Sequence, residues 1–216
     1  MKKFLICFAT ELERKLIAPR LGRRRDAALE VCGFGLVAAA ARTAWLIQEH
    51  DPGRAFLLGL AGTYSPDLPI GSAAQFQKVT SYGIGVGMGA AHRSAFDIGF
   101  PQSQALLSGS QRAPSDVLPL DFSPQHPSAE LLLSVSSSAA DPVEVDHRLE
   151  QVPTACAEDM EGFAFALACH QSGVPAQVIR GISNQAGERD RSQWRVDDAG
   201  SAAVELFCQV FDAVLV

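Results

Sequence analysis

EDMEGFAFALACHQSGVPAQVIRGISNQAGERDRSQW, residues 158–194, decides how this chain is read. It gathers five carboxylates, three arginines and a histidine in a chain that is only 19% charged. Residues 160–171 are apolar almost all round over a helical length, and residues 175–182 form a short apolar run bounded by turn residues, the pattern of a buried strand. Arg180 interrupts that run, and a buried charge is tolerated only when paired, so a carboxylate has to meet it. Glu158, Asp159 and Glu161 stand where a strand passes into the helix. For Glu158 and Asp159 a favourable charge at a helix N-terminus is explanation enough. Glu161 begins a helix whose remaining face is nearly all apolar, where a carboxylate could accept two hydrogen bonds from a vicinal diol. Ser183 and Asn184 end the strand, the edge at which open α/β sheets bind ligands, and a polar loop closed by Trp194 follows.

Outward from this stretch, strand and helix patterns alternate. Residues 3–9 are a buried strand and 11–21 a helix; Thr10 is its N-cap and Glu13 the capping-box partner, a reading that competes with a catalytic one. Residues 27–32 are a strand and 36–48 a helix, joined by Gly33-Phe34-Gly35. The spacing Gly33, Gly35, Ala38 satisfies the permissive dinucleotide fingerprint. The next strand, 55–60, ends in Gly-Leu-Ala-Gly-Thr without the acid that such a cofactor's ribose needs, and tight helix packing explains the glycines equally well. Small residues at 59–63 would let backbone N–H groups approach a ligand. Residues 75–82 alternate as a strand, and glycines at 83, 85, 87 and 89 suggest a flexible loop. Residues 90–128, with five prolines, read as a long loop or lid that carries His92 and His126. Residues 130–135 form a strand, 136–150 a polar link, 154–157 a short strand and 197–214 a closing helix. The order favours a three-layer α/β domain with a mostly parallel sheet.

Composition narrows the function. With 216 residues, 47% of them hydrophobic, the chain can bury one sizeable core. A formal net charge of -6 argues against nucleic acid as a partner. Cys7, Cys32, Cys156, Cys169 and Cys208 form no C-x-x-C pair, which suits free thiols and no zinc site. The opening MKKFLICFAT has too short an apolar run for a leader, and no stretch is long enough to cross a bilayer. A cytoplasmic protein without membrane contact is expected.

Through GLAGT at 59–63, EDMEGFA at 158–164 and IRGISN at 179–184, the chain resembles the purine nucleoside phosphorylase and nucleosidase superfamily. The pairing of D-M-E-G-F-A with S-N-x-x-G-x-R-D and a following Trp is most similar to the futalosine hydrolase family, nucleosidases of the alternative menaquinone pathway. The resemblance implies a single domain over 1–216 with a three-layer αβα nucleoside phosphorylase-like fold and a central mixed, mostly parallel sheet. It implies hydrolysis of futalosine to hypoxanthine and dehypoxanthine futalosine, a purine nucleoside as small-molecule partner, no cofactor, no metal, and a homo-oligomer. Met160 would lie under the ribose and Glu161 would bind its 2′ and 3′ hydroxyls. Glu13 would activate water beside Arg180, which would thereby gain its ion pair. Ala61, Gly62 and Ser183 would line the substrate, and Trp194 would close over the 5′ side of the sugar. Family members that cleave adenine nucleosides place Asp where Asn184 stands, to protonate N7. Asn cannot supply that proton, but its amide can bind N7 and O6 of a 6-oxopurine.

The chain lacks the glycine-rich N-terminal turn and the arginines with which phosphorylases of this superfamily hold phosphate, so water is the expected nucleophile. Leu60 replaces a serine common in related nucleosidases, residues 83–89 lack expected acids, and residues 139–151 are unfamiliar. Three alternatives stand beside the main reading: another purine nucleosidase or a phosphorylase acting on inosine-like substrates, a noncatalytic purine-nucleoside binding protein, and a dinucleotide enzyme.

Overall fold

Alternation along the first strands sets the layers. In β1 (Lys3–Phe8) and β3 (Pro52–Thr63), Leu5, Cys7, Ala55 and Leu57 point into one apolar layer, and Ile6, Phe8, Phe56 and Leu58 into the other. The computed structural model describes residues 3–22, 24, 26–107 and 115–214. The remaining strands are β2 (Ala27–Val31), β4 (Ala73–Tyr82), β5 (Gly85–Val86), β6 (Arg93–Ser94), β7 (Leu118–Pro119), β8 (Ser128–Val135), β9 (Ala155–Asp159) and β10 (Ala176–Gln185). The helices are α1 (Glu11–Ile17), α2 (Gly35–His50), α3 (Pro142–Gln151), α4 (Gly162–Gln171) and α5 (Val196–Val214). Helices α2 and α4 supply the first layer, with Leu46 and Phe165 in its core. On the opposite face, Phe207 and Phe211 of α5 meet Phe56 at ring separations of 5.1 and 5.9 Å, and Ile17 of α1 joins them.

The sheet is mixed and mostly parallel, as the family resemblance implies. Strand β1 lies between β2 and β3, parallel to both. Strand β10 is parallel to β3 along residues 176–182 and antiparallel to β4 at 179–181. Strand β4 runs parallel to β8, and β8 parallel to β9. Strand β9 returns to the end of β3, antiparallel, through Gly62 and Glu158. Five strands, β3, β10, β4, β8 and β9, therefore close into a ring within the αβα arrangement.

Several boundaries move from their expected places, each for a local reason. Helix α1 stops at Ile17 and gives way to a tight turn at Ala18–Arg20, because Pro19 has no N–H to continue the helical ladder. The polar link at 136–150 contains α3, capped by Asp141, whose carboxylate accepts from the Glu144 N–H at 2.9 Å, with Pro142 in its first turn. Strand β9 runs on to Asp159, so α4 starts at Gly162 rather than at Met160. The glycine segment 83–89 is not wholly irregular: β5, within it, pairs with β6 beyond it as a small antiparallel hairpin. Across the rest of 90–128, tight turns at Gly89–Ala91 and Gln102–Leu106 and β7 are the ordered elements among the described residues. Part of the expected loop, 108–114, lies outside those residues.

Candidate active site

Three carboxylates and one guanidinium meet at the carboxyl ends of β3, β9 and β10. Arg180 is wholly buried in β10. Its main partner is Asp159, in a close ion pair, with Glu161 Oε2 at 3.5 Å. Burial pulls the Arg180 pKa down, but Asp159, Glu161 and Glu13 outweigh it and hold the guanidinium above its ordinary range. The sequence reading of Asp159 as helix punctuation is thus corrected. Asp159 Oδ2 does accept from the Gly162 N–H at 2.8 Å, but the same oxygen faces Arg180, and Oδ1 accepts from the Ser134 hydroxyl at 2.5 Å. Arg180 does not pair directly with Glu13, as had been expected. Its Nη1 and the Glu13 carboxylate instead converge on the space above Gly59, where any side chain would strike both. Arg180 Nη1 and Nε, both buried, have no hydrogen-bond partner among the described residues.

Glu13 fulfils both of its readings. Its Oε2 accepts from the Thr10 N–H and hydroxyl at 3.0 Å each, while the Thr10 hydroxyl accepts from the Glu13 N–H, a complete capping box. Its Oε1 reaches over to the Leu60 N–H at 3.0 Å, which ties α1 to the end of β3.

Glu161 occupies the corner that the glycine fingerprint had suggested for an anionic cofactor. Its Oε1 accepts from the Gly35 N–H, at the start of α2, at 3.0 Å. A Cβ on Gly33 would lie 2.9 Å from that of Ala38, so the glycines serve helix packing and a carboxylate of the chain itself fills the helix terminus. The dinucleotide reading falls with it. Burial pushes the Glu161 pKa up, Arg180 pulls it down, and Asp159 raises it again; it settles at about 7.

Asn184 owes its position to an irregularity. Ile182 pairs with Ala61 but Asn184 with Gly62, so the ladder slips by one residue at Ser183, the kind of bulge that re-aims a side chain. Asn184 Oδ1 accepts from the Ser183 hydroxyl at 2.7 Å and Nδ2 donates to the Gln185 carbonyl at 2.8 Å, leaving one amide hydrogen. Glu13, Ala61, Gly62, Met160, Glu161, Ser183, Asn184 and Trp194 all line one cavity of about 520 Å³. Arg180 is beneath its wall rather than on it.

Two residues of the same region were missed. Glu158 also lines the cavity and is 5% exposed. Its Oε2 is held by Arg148 of α3 and by the Tyr64 hydroxyl at 2.5 Å, and its Oε1 by the Ala139 N–H at 3.0 Å. Arg148, 4% exposed, also donates to the Ser137 carbonyl at 2.9 Å. The clamp carries Ser138 to the cavity, with its hydroxyl 3.5 Å from Met160 Sδ. The His92 ring packs at a tilt against that of Tyr82, centroids 4.5 Å apart, and neither it nor His126 lines the cavity. Among the described residues no cluster of side chains suits a metal ion, and no helix is long and apolar enough to cross a membrane.

Residues 7–216 match the model of the phosphorylase superfamily. The chain belongs to that superfamily. A 5′-methylthioadenosine/S-adenosylhomocysteine nucleosidase of Shewanella halifaxensis is 31% identical over 169 residues, 75% of this chain and 70% of the relative. Among solved structures, the enzyme of the same name from Helicobacter pylori, bound to butyl-thio-DADMe-Immucillin-A, superposes with a TM-score of 0.77 at 19% identity, over 99% of each chain. Futalosine hydrolase of Helicobacter pylori superposes with a TM-score of 0.78 at 18% identity, over 98% of each. At such identities the structural likeness speaks for the fold. The superfamily's nucleosidases are N-glycosyl hydrolases, and this member is an enzyme of that kind.

Proposed function

We propose that this nucleosidase hydrolyses the N-glycosidic bond of a hypoxanthine nucleoside, with futalosine as the substrate. The observation that carries the reading is Asn184, at the bulged end of β10, facing the cavity where an acid would be needed to protonate an adenine. Its remaining amide hydrogen suits an acceptor such as N7. Glu161 accepts the 2′ and 3′ hydroxyls with Met160 against the sugar. Water is activated on the cavity side of Glu13, with the buried Arg180 guanidinium behind that carboxylate as its countercharge. As the C1′–N9 bond breaks, positive charge grows on the ribose and the bonding pair moves into the purine, where the Asn184 amide stabilises it. Water adds to C1′, Glu13 takes its proton, and the purine anion is protonated from solvent. General-base assistance of this type contributes on the order of 10²- to 10⁴-fold. The nucleosidases named for methylthioadenosine support the reaction type, and Asn184 favours the other base.

The test is hypoxanthine release from futalosine and inosine, and adenine release from methylthioadenosine, each with and without phosphate, by wild type and Glu13→Gln. Phosphate-independent cleavage of futalosine, abolished in the variant, is expected. Preferred cleavage of methylthioadenosine would overturn the base assignment, and a requirement for phosphate would overturn hydrolysis. Binding of nucleosides without turnover would favour the noncatalytic alternative. The exposed Leu12, Phe34 and Val37 beside the site support the expected homo-oligomer, and sedimentation at micromolar concentration measures it.

A further inference from the structure

One guanidinium nitrogen, Nη2 of Arg180, stands between two carboxylates and serves them unequally. Asp159 Oδ2 is in close contact with it, whereas Glu161 Oε2 is 3.5 Å away. Asp159 is fixed in that position from two sides. Its Oδ2 also accepts from the Gly162 N–H at 2.8 Å, and its Oδ1 from the Ser134 hydroxyl at 2.5 Å. Ser134 is oriented in turn by the Phe163 N–H, which donates to its oxygen at 2.7 Å. The Asp159 side chain is wholly closed off from solvent, while that of Glu161 stays 6% exposed on the cavity.

Glu161 is held lightly by comparison. Apart from the distant Arg180, its donor among the described residues is the Gly35 N–H of α2, 3.0 Å from Oε1. The charged groups that face it are Arg180 on β10, Asp159 on β9 and Glu13 on α1. Two of these are anionic, and the cation is committed mainly to one of them. A guanidinium bound to Glu161 as closely as it is to Asp159 would occupy Oε2, because charge-assisted pairs of this kind are short and directional. We infer that Asp159 is a positioning residue: it takes the larger share of the Arg180 charge and so leaves Glu161 Oε2 available to a substrate hydroxyl. This rests on the proposed placement of the ribose at Glu161. A carboxylate that yields its counterion ionises less readily, and burial, with Asp159 adding to it, outweighs Arg180 to bring Glu161 to about 7.

The experiment follows ionisation of the Glu161 carboxyl in the substrate-free protein, by infrared spectroscopy of chains labelled with carbon-13 at glutamate carboxyls, with Glu161→Gln subtracted to isolate the band. It compares wild type, Asp159→Asn, the double variant Asp159→Asn/Arg180→Gln, and Asp121→Asn as a charge control, whose carboxylate pairs with Arg54 at 2.7 Å away from the cavity. The midpoint is expected at about 7 in wild type and in the control. In Asp159→Asn it should fall by about one pH unit or more, because the guanidinium then has only Glu161 and Glu13 to answer. In the double variant the cation and its main partner leave together, and the midpoint should stay within about one pH unit of wild type. A midpoint unmoved or raised in Asp159→Asn overturns the inference. If that variant does not fold, the double variant decides: a midpoint raised by more than about one pH unit means that Arg180 had been answering Glu161 instead. The acid limb of kcat/KM, on whichever nucleoside wild type cleaves, should move with the midpoint. If the midpoint falls and the limb stays, the proposed ribose contact fails and the division of charge between Asp159 and Glu161 stands.

Discussion

Glu161 sits with two other carboxylates around one guanidinium, and its raised pKa makes a prediction with a definite sign. In the proposed reaction the ionised carboxylate accepts the ribose diol. In the free enzyme it is lost as pH falls through about 7, so kcat/KM should drop roughly tenfold per unit below that pH. Glu161→Gln should be slow and lack that slope. For stability the sign reverses. Between its ordinary value of 4.5 and about 7, folded Glu161 holds a proton that the unfolded chain has released. Its contribution is full below that window and lost as pH rises through it, and denaturation of wild type and Glu161→Gln at either end measures it. Asn184→Asp should raise kcat/KM for adenine over hypoxanthine nucleosides by about 10²-fold or more, because it restores an acid at N7; paired assays of the two series check this. At this scale Glu161 drew notice because a carboxylate opens an apolar helix, whereas Glu13 fits its capping box and stood out, as did the base contact of Asn184, through the family resemblance. The partners of Arg180 were not, because Asp159 looks like helix punctuation until β9 is seen to carry it alongside β10.

Helix α3 was invisible in its composition. Residues 142–151 are mostly polar, with Val145 and Arg148 its buried side chains. The signal was Asp141-Pro142 followed by Glu144, an N-cap, a first-turn proline and an acid in sequence. Its importance comes from Arg148, which reaches Glu158 under the cavity floor. Arg148→Met leaves a buried carboxylate with only the Tyr64 hydroxyl and the Ala139 N–H, and should cost about 3–5 kcal/mol in urea denaturation. Tyr64→Phe removes one bond to a charge and should cost about 1.5–3 kcal/mol. If α3 merely decorated the surface, Arg148→Met would change stability by roughly half a kcal/mol or less. The strands and α5 were readable because their apolar periods are strong. The ends of β9 and β10 were not, because polar residues extend both strands where they pair with β3.

At the scale of the whole molecule, the order of strands and helices suggested layers, and the layers are present. Ring closure was not legible, because β3 pairs with different strands along its length and no periodicity records that. Leu58 to Gly62 and Arg180 to Ser183 lie where β3 and β10 run side by side, with β9 and β4 continuing the circuit. Neither of these strands offers a free margin there to peel from, so their amides can meet solvent only when the circuit opens as a whole. Deuterium uptake should be slowest at 57–60 and 178–181, with the free energy of global unfolding. A closed circuit of strands shares any disturbance among five elements at once, so the floor beneath the cavity either keeps its shape or is lost together with the whole fold.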